Sequence, residues 1–321
     1  MRRAILGLLL AAASAAAQTR PIPTTADAPF ELDADVPDVA EPIRTAGFVL
    51  PPTDVFDPAP QWRQELLPTD LLYRSYIANP KDARLSSRIL HEAGGDTFWS
   101  LEAGARVGVW RYGTPSGWRN PETGRPEGWQ LDIQGAAFPR LNFDHEMDVD
   151  AVDFKVGVPL TYSEGPWEAK FGWYHLSSHL GDEFLLREPD FDRLNYLRDA
   201  FVLGGGYYPD PDLRLYTEVE YAYNVDGGSE PWHVQFGFDW QPADVNTRVA
   251  APSPFVAVNT QLREEVDWGG GTNVVMGLQW RGPRSDRLFR AGIQYYNGKS
   301  WQFSFYDRHE ELLGLSLWYD F

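Results

Sequence analysis

The stretch "FGWYHLSSHLGDEFLL", residues 171–186, holds the side chains with the most potential for chemistry in this chain. His175 and Ser177 lie two residues apart, so on a β-strand they would stand side by side on one face. An imidazole beside a hydroxyl group can accept its proton and turn the oxygen into a nucleophile. The spacing therefore predicts a catalytic pair, with Ser177 as the nucleophile and His175 as the base.

A pair of this kind needs a third group that orients the imidazole. If the chain reverses within "TYSEGP", the preceding strand runs antiparallel to this stretch and brings Asp150 opposite His175 or Ser177. Regular alternation then puts Asp150 on their face, so Asp150 is the predicted orienting residue. Four other acids are alternatives less well placed for this role: Glu146, Asp148, Asp182 and Glu183.

Two interpretations of the same stretch involve no catalysis. His175, with His179, Asp182 and Glu183, supplies ligand types that suit zinc or calcium, which makes a metal site with calcium as a cofactor one alternative. The other is structural. Outward aromatic residues that end in His and Ser are typical of the girdle where a barrel meets lipid headgroups, or of a hydrogen-bonded loop cluster.

The elements around the stretch have a period of two residues. Apolar residues alternate with polar ones in runs of about ten residues, broken by turn signals such as "YPDPD" and "RGPRSD". Such runs predict an antiparallel meander of about eleven strands. The clear runs lie at residues 99–109, 129–133, 152–160, 167–173, 213–221, 232–240, 274–280 and 289–295, with weaker ones near 201–208 and 255–262 and a last one at the C-terminus.

The C-terminus, "LLGLSLWYDF", has apolar residues at every second position before Phe321. This pattern resembles the assembly signal of bacterial outer-membrane barrels, which implies that the barrel assembly machinery is a partner. If Phe321 ends on the periplasmic side, the strand at Trp99 runs toward the periplasm and one more strand must precede it, within residues 84–92. We therefore predict an all-β transmembrane barrel of about twelve strands, since single-chain barrels of this kind have even strand numbers. A soluble β-sandwich is the alternative fold.

Composition agrees with a barrel. The aromatic fraction is 14% with 13 Trp, while the mean hydropathy is −0.40; lipid-facing apolar residues that alternate with polar lumen residues give this combination. The formal charge of −18 argues against nucleic acid as a partner. The chain has no Cys, which excludes disulfides and a lipid-modified N-terminal Cys. Polar side chains on the inner face of a narrow barrel are expected to form hydrogen bonds with one another.

The domain organisation follows from the N-terminus. Residues 1–17 match a secretory signal peptide, with two arginines, an apolar run and small residues before Gln18. Residues 18–65 are rich in Pro and Asp and predict a mostly disordered periplasmic arm. Residues 66–321 are the predicted barrel, located in the cell outer membrane. Its expected partners are outer-membrane lipids and lipopolysaccharide.

Two resemblances bear on function. "YHLSSHLGDEFL" and "YYNGKSWQFSFYDRHEELLGLSLWYDF" resemble an uncharacterised family of bacterial outer-membrane barrels known only as a domain of unknown function, which implies the fold and no chemistry. The His175 and Ser177 spacing resembles the His-any-Ser core of outer-membrane phospholipase A and lipid A deacylase barrels, although Ser178 stands where those families have Asn. That resemblance implies an envelope lipid acyl hydrolase. The alternative is a non-enzymatic barrel that acts as a narrow channel or a surface-binding protein.

Overall fold

The computed structural model describes residues 60–242, 252–282 and 287–320. The predicted signal peptide, most of the predicted arm and Phe321 lie outside these residues. No helix within them is long and apolar enough to cross a membrane.

The described residues form an antiparallel barrel in which each strand from β2 onward pairs with the next strand in sequence and the last strand pairs back with β2. One helical turn, α1 (Asp182–Arg187), and three short 3₁₀ helices (Phe143–His145, Glu264–Val266 and Phe303–Phe305) lie between strands. The strands are β1 (Arg63–Leu66), β2 (Leu85–Glu92), β3 (Thr97–Gly113), β4 (Gly128–Asn142), β5 (Asp148–Glu164), β6 (Trp167–Leu180), β7 (Leu197–Asp210), β8 (Leu213–Asp226), β9 (Trp232–Trp240), β10 (Ser253–Arg263), β11 (Gly269–Arg281), β12 (Leu288–Lys299) and β13 (His309–Asp320).

The predicted fold is confirmed, since β2 to β13 close a twelve-stranded meander and β1 is one further strand in the described residues. The strand expected within residues 84–92 is β2, which begins at Leu85. We call the end of the barrel where β13 finishes the lower end and the end where β6 finishes the upper end.

The two faces of the wall differ as the alternation predicts. Outward side chains in mid-strand are apolar and exposed, among them Val156, Leu203 and Leu315. Inward side chains are polar and buried, such as Asp153 and Glu218. Because this apolar band surrounds the barrel, the hydrophobic surface lies outside and the interior is held by hydrogen bonds and ion pairs.

Two separate strands, β1 and β2, pair with the same edge of β3, and an interruption lies between them. Strand β1 pairs with the lower part of β3, from Arg63 opposite Gly113 to Leu66 opposite Trp110. Residues 67–84 then leave the wall and enter the barrel interior, and β2 resumes pairing with β3 higher up, at Ala103. We call residues 67–84 the inner segment; its residue types show no regular alternation.

The inner segment bonds to strands all round the barrel. The Tyr76 hydroxyl donates to Glu218 on β8 at 2.9 Å, and the Ile77 amide donates to Asp239 on β9 at 3.2 Å. Asn273 on β11 donates to the carbonyl of Ala78 at 2.6 Å. These contacts fix the segment across the lumen, so it is a packed part of the barrel rather than a free tail.

A second loop enters the lumen from the upper end. Residues 300–308 connect β12 and β13, and their side chains Phe303, Ser304 and Phe305 are buried. This loop meets the inner segment at Asp153 on β5. The Asp153 carboxylate accepts bonds from Lys81 Nζ at 2.5 Å, from Ser178 Oγ at 2.5 Å and from the Phe303 amide at 3.3 Å. The predicted mutual bonding of inner polar groups is thus observed, with two inserted segments as additional partners.

Candidate functional site

Strand β6 carries His175 and Ser177 on the outer face of the wall. They pair across the sheet with Val156 and Phe154 of β5, whose side chains are exposed on the apolar exterior. The residues that alternate with them on β6 are buried inside the barrel: Tyr174, Leu176 and Ser178. Regular alternation of β6 therefore holds an imidazole and a hydroxyl group on the same outward surface near the upper end.

Strand β7 supplies the partner of His175. In the β6–β7 register Asp199 lies directly opposite His175, and Asp199 Oδ1 lies 2.8 Å from His175 Nδ1. The side chains are 16% and 35% exposed, so the pair is partly covered. A carboxylate accepts a hydrogen bond at this distance, so Nδ1 is the nitrogen that carries the hydrogen; in the neutral imidazole Nε2 then has the lone pair that can accept another proton.

Strand β8 supplies a third member of this network. Asn224 Nδ2 donates to Asp199 Oδ2 at 2.8 Å, so both oxygens of the carboxylate have a partner. Asn224 faces outward because the β7–β8 pairing shifts between Asp199 and Ala200 and leaves Tyr223 as an extra residue in β8. Strict alternation from the buried Ala222 would have turned Asn224 inward; the bulge turns it outward instead.

Ser177 lies close to this network without joining it. No hydrogen bond connects Ser177 Oγ with His175 in the described part of the chain. Residues two apart on a strand have Cα atoms about 6.6 Å apart, so side-chain rotation decides whether Oγ reaches the imidazole. Serine–base contacts are often long without substrate and tighten in the complex.

Asp150 is not brought to His175, and the expected placement needs correcting. The β5–β6 turn is centred on Gly165 and Pro166, with Gly165 at φ 53°, so Ala151 lies opposite Leu180 and Asp150 lies beyond the His175 level. The β4–β5 register also shifts around Asp150, which turns its side chain inward. Asp150 is 4% exposed and accepts from Arg187 Nη2 at 2.5 Å.

The predicted metal ligands are likewise not brought together. His179 is an exposed outward residue of β6 near Phe154, at 6.0 Å between ring centroids. Asp182 and Glu183 are exposed in the first turn of α1. No group of three or more His, Cys, Asp or Glu among the described residues could hold a metal ion.

Aromatic side chains flank the network on its lower side. Trp173 Nε1 donates to the Tyr223 hydroxyl at 3.0 Å. Phe201 packs against Tyr223, at 5.3 Å between ring centroids, and stacks with Phe171 at 6.2 Å. The polar atoms of His175, Asp199 and Asn224 thus stand directly above an apolar surface of rings.

A second network lies behind the site, on the inner side of the same strands. The Tyr174 hydroxyl donates to Glu220 at 2.5 Å, and His233 Nε2 lies 2.8 Å from Glu265 in the Glu264–Val266 turn. Burial raises the pKa of Glu265, but the nearby His233 and Arg263 outweigh it, so this pKa lies below its ordinary value. The Tyr174 bond ties β6 to β8 from within, next to the backbone that carries His175.

Sequence reasoning found His175 and Ser177 and missed their partners Asp199 and Asn224. Asp199 had a usable signal: it alternates with the outward residues Phe201 and Leu203 of the next strand. Its register against His175 depends on the length of the loop 181–196, which alternation does not reveal. Asn224 had no signal, since alternation assigns it to the inner face.

The fold and the outward polar network define an outer-membrane-type β-barrel with a His–Asp–Asn network on its exterior. A family model described as "Protein of unknown function (DUF1207)" matches residues 55–321. The chain therefore belongs to the DUF1207 family. No curated protein matches the chain.

Solved structures similar to this chain include other barrels. Outer membrane phospholipase A from Escherichia coli has 11% sequence identity and a TM-score of 0.45, with 77% of this chain and 93% of that chain covered. The calcium-bound dimer of the outer membrane phospholipase of Salmonella typhi has 10% identity and a TM-score of 0.45, with coverage of 77% and 94%. The transport unit of the autotransporter AIDA-I from Escherichia coli has 13% identity and a TM-score of 0.39, with coverage of 79% and 94%.

Proposed function

We propose that this protein is an envelope lipid acyl hydrolase in which Ser177 is the nucleophile, His175 the base and Asp199 the orienting acid. The observation that carries the proposal is the 2.8 Å contact between His175 Nδ1 and Asp199 Oδ1 on the outward face that also holds Ser177. An acid on Nδ1 leaves Nε2 as the base and stabilises the imidazolium ion that forms when Nε2 accepts a proton. Asp199 takes the role that the sequence assigned to Asp150.

The environment of the network favours a lipid as substrate. The pair stands at the upper border of the apolar band, next to the amphipathic rings of Trp173 and Tyr223. Such rings sit at the level of lipid headgroups in barrels, where acyl ester bonds also lie. An ester lipid could therefore reach Ser177 from the side without leaving the bilayer. Phospholipid and the lipid A part of lipopolysaccharide are the two substrate classes.

The reaction proceeds in two half-reactions. Ser177 Oγ attacks the ester carbonyl carbon while His175 Nε2 accepts the hydroxyl proton. The C–O bond to the lipid alcohol breaks, the alcohol takes that proton from His175, and the acyl group remains on Ser177. Water then attacks the acyl-serine with His175 again as base, which releases a fatty acid and restores the hydroxyl group.

The proposal includes the location and assembly of the protein. The barrel resides in the outer membrane with its upper end outside the cell, so that the site faces the outer leaflet. The assembly machinery inserts it through the C-terminal signal that ends at Phe321. Filling of the lumen by the inner segment and by residues 300–308 makes a channel the weaker alternative. A non-enzymatic surface-binding barrel is the remaining rival.

The test uses the purified full-length barrel in detergent, with phospholipid and lipid A offered separately, each with calcium and with a chelator. We expect release of free fatty acid from at least one lipid class. Ser177→Ala and His175→Ala should each remove most of this release, and the double variant should lose little more, because such residues act as a unit. A serine-directed fluorophosphonate should add its mass to the peptide that contains Ser177.

His179→Ala is the matched control, since His179 lies on the same face of β6, four residues beyond His175, the residue that lies opposite Asp199. It should keep full activity. If the wild type releases no fatty acid from either lipid under any of these conditions, or if Ser177→Ala keeps the activity, the protein is not a hydrolase of this type.

A further inference from the structure

We infer that Asn224 is a positioning residue, which fixes the Asp199 carboxylate and through it the Nδ1–H tautomer of His175. This inference rests on the proposed function, because the tautomer matters only if His175 Nε2 must be free to accept a proton. Asn224 lies one strand beyond the Asp199 strand and, among the described residues, has no hydrogen bond with Ser177 or with His175. It would therefore act through Asp199 alone.

The geometry of the carboxylate supports this role. Asp199 Oδ1 faces His175 at 2.8 Å and Asp199 Oδ2 faces Asn224 Nδ2 at 2.8 Å, so the carboxylate is held from both sides. With one oxygen anchored, the other cannot rotate away from the imidazole without breaking a hydrogen bond to a charged acceptor. Such bonds are stronger than those between neutral groups.

The surroundings of Asp199 favour an anchor supplied by the protein. The network lies on the outer face of the barrel above the rings of Trp173, Phe201 and Tyr223. The rings below Asp199 present mainly carbon atoms, and a charged oxygen that faces carbon without a hydrogen-bond donor is costly. An amide on the adjacent strand supplies the donor without adding charge.

The bulge at Tyr223 in β8 brings about the contact between Asn224 and Asp199. If β8 paired regularly with β7 at this point, Tyr223 would lie opposite Asp199 and Asn224 would face the lumen. Tyr223 faces outward by regular alternation, and its hydroxyl accepts from Trp173. Bulges commonly re-aim side chains at functional sites. The irregularity in β8 thus aims Asn224 at the network.

The experiment compares the wild type with Asn224→Ala in two measurements. In the lipid hydrolysis assay, Asn224→Ala should lower kcat on the order of tenfold with little change in KM, as expected for loss of one bond to a charged group. The second measurement is ¹⁵N NMR of the barrel labelled at its six histidines, with the His175 signals assigned through His175→Gln. The wild type should show the pure Nδ1–H tautomer, and Asn224→Ala a mixture of the two tautomers.

Two further variants separate positioning from a purely structural role. Asn224→Gln keeps the amide donor and should recover part of both losses. Asn297→Ala is the matched control, because Asn297 on β12 also bonds on the outer face, to Tyr295 at 3.4 Å, far along the wall from His175. It should change neither kcat nor the tautomer.

The outcomes distinguish the two ideas. If Asn224→Ala keeps the wild-type tautomer, the positioning role is wrong, whatever the activity shows. A mixed tautomer together with a wild type that hydrolyses no lipid would reject the proposed function and leave the coupling of Asn224 to His175 intact. A loss of activity in Asn224→Ala with an unchanged tautomer would mean that Asn224 acts by another route and would overturn the inference.

Discussion

Polar side chains lie on both surfaces of the wall formed by β5, β6 and β7, and their partners differ. On the inner surface Asp153 is buried and accepts from Lys81, Ser178 and the Phe303 amide, which come from three separate parts of the chain. On the outer surface His175, Asp199 and Asn224 bond to one another, on adjacent strands within an apolar surface.

This difference separates structural from functional polar groups in a barrel of this type. A filled lumen requires many polar contacts, so an inner ion pair such as that of Asp153 needs no functional explanation. Polar groups on the apolar exterior gain no packing partners and weaken contact with lipid. A network that persists there, with its members aligned by register and by a bulge, is therefore the better candidate for chemistry.

The largest expected effect tests the outer network. Asp199→Ala should lower the rate of fatty acid release on the order of 10⁴-fold, because His175 loses the group that fixes its tautomer and stabilises its charged form. Unfolding in denaturant should be little changed, since Asp199 holds no buried partner. The control is Asp150→Ala, which removes an inner acid bonded to Arg187 and should leave the rate within a fewfold of wild type. A reversed pattern would restore Asp150 as the orienting residue.

The next effect concerns the inner surface. Asp153→Ala should destabilise the folded barrel by about 3–5 kcal/mol, since it leaves the Lys81 ammonium group buried without its partner. The measurement is the denaturant midpoint of the barrel in lipid vesicles. Lys81→Met combined with Asp153→Ala should recover part of the loss, because the uncompensated charge is then absent. Equal stability of Asp153→Ala and wild type would mean that the inner segment does not depend on this contact.

The contrast between these two regions also explains what the sequence could predict. Alternation predicted the positions of the strands and the additional strand β2. It also predicted that His175 and Ser177 face outward, because β6 is regular over its length. It failed where the register slips: around Asp150 in β5 and at Tyr223 in β8. A slip of one residue in the register moves every following side chain to the opposite face. Hydrogen bonding between the backbones of two strands determines the register, and the sequence of one strand does not contain this information.

The inner segment was missed for a different reason. Residues 67–84 have no period because they contact the wall on all sides rather than one face. Their aromatic and charged residues match the inner wall only once the barrel has closed. Composition alone therefore gave no sign that these residues enter the lumen.

A smaller effect tests whether the outer face tolerates charge in general. Leu315 in the middle of β13 is outward and exposed, and Leu315→Lys should cost about 2–4 kcal/mol in vesicles, as for a charge near the bilayer midplane. Leu315→Met is the volume-matched control and should cost far less. If Leu315→Lys has no effect on the denaturant midpoint, the exterior of the barrel does not face lipid at Leu315. The polar groups around His175 would then no longer stand out from the rest of the outer surface.

The smallest effect separates two adjacent serines. Ser178 is 0% exposed and bonds to Asp153 and to Ser304 Oγ, the latter at 2.6 Å, whereas Ser177 faces outward. Ser178→Ala should therefore lower stability by about 1 kcal/mol, through loss of a buried hydrogen bond, and keep hydrolysis. Ser177→Ala should do the opposite, with hydrolysis lost and the denaturant midpoint unchanged. Because the two serines are consecutive in one regular strand, their side chains stand on opposite surfaces of the wall. If Ser178→Ala removed activity with the barrel still folded, the chemistry would belong to the inner surface and the comparison of the two faces would be reversed.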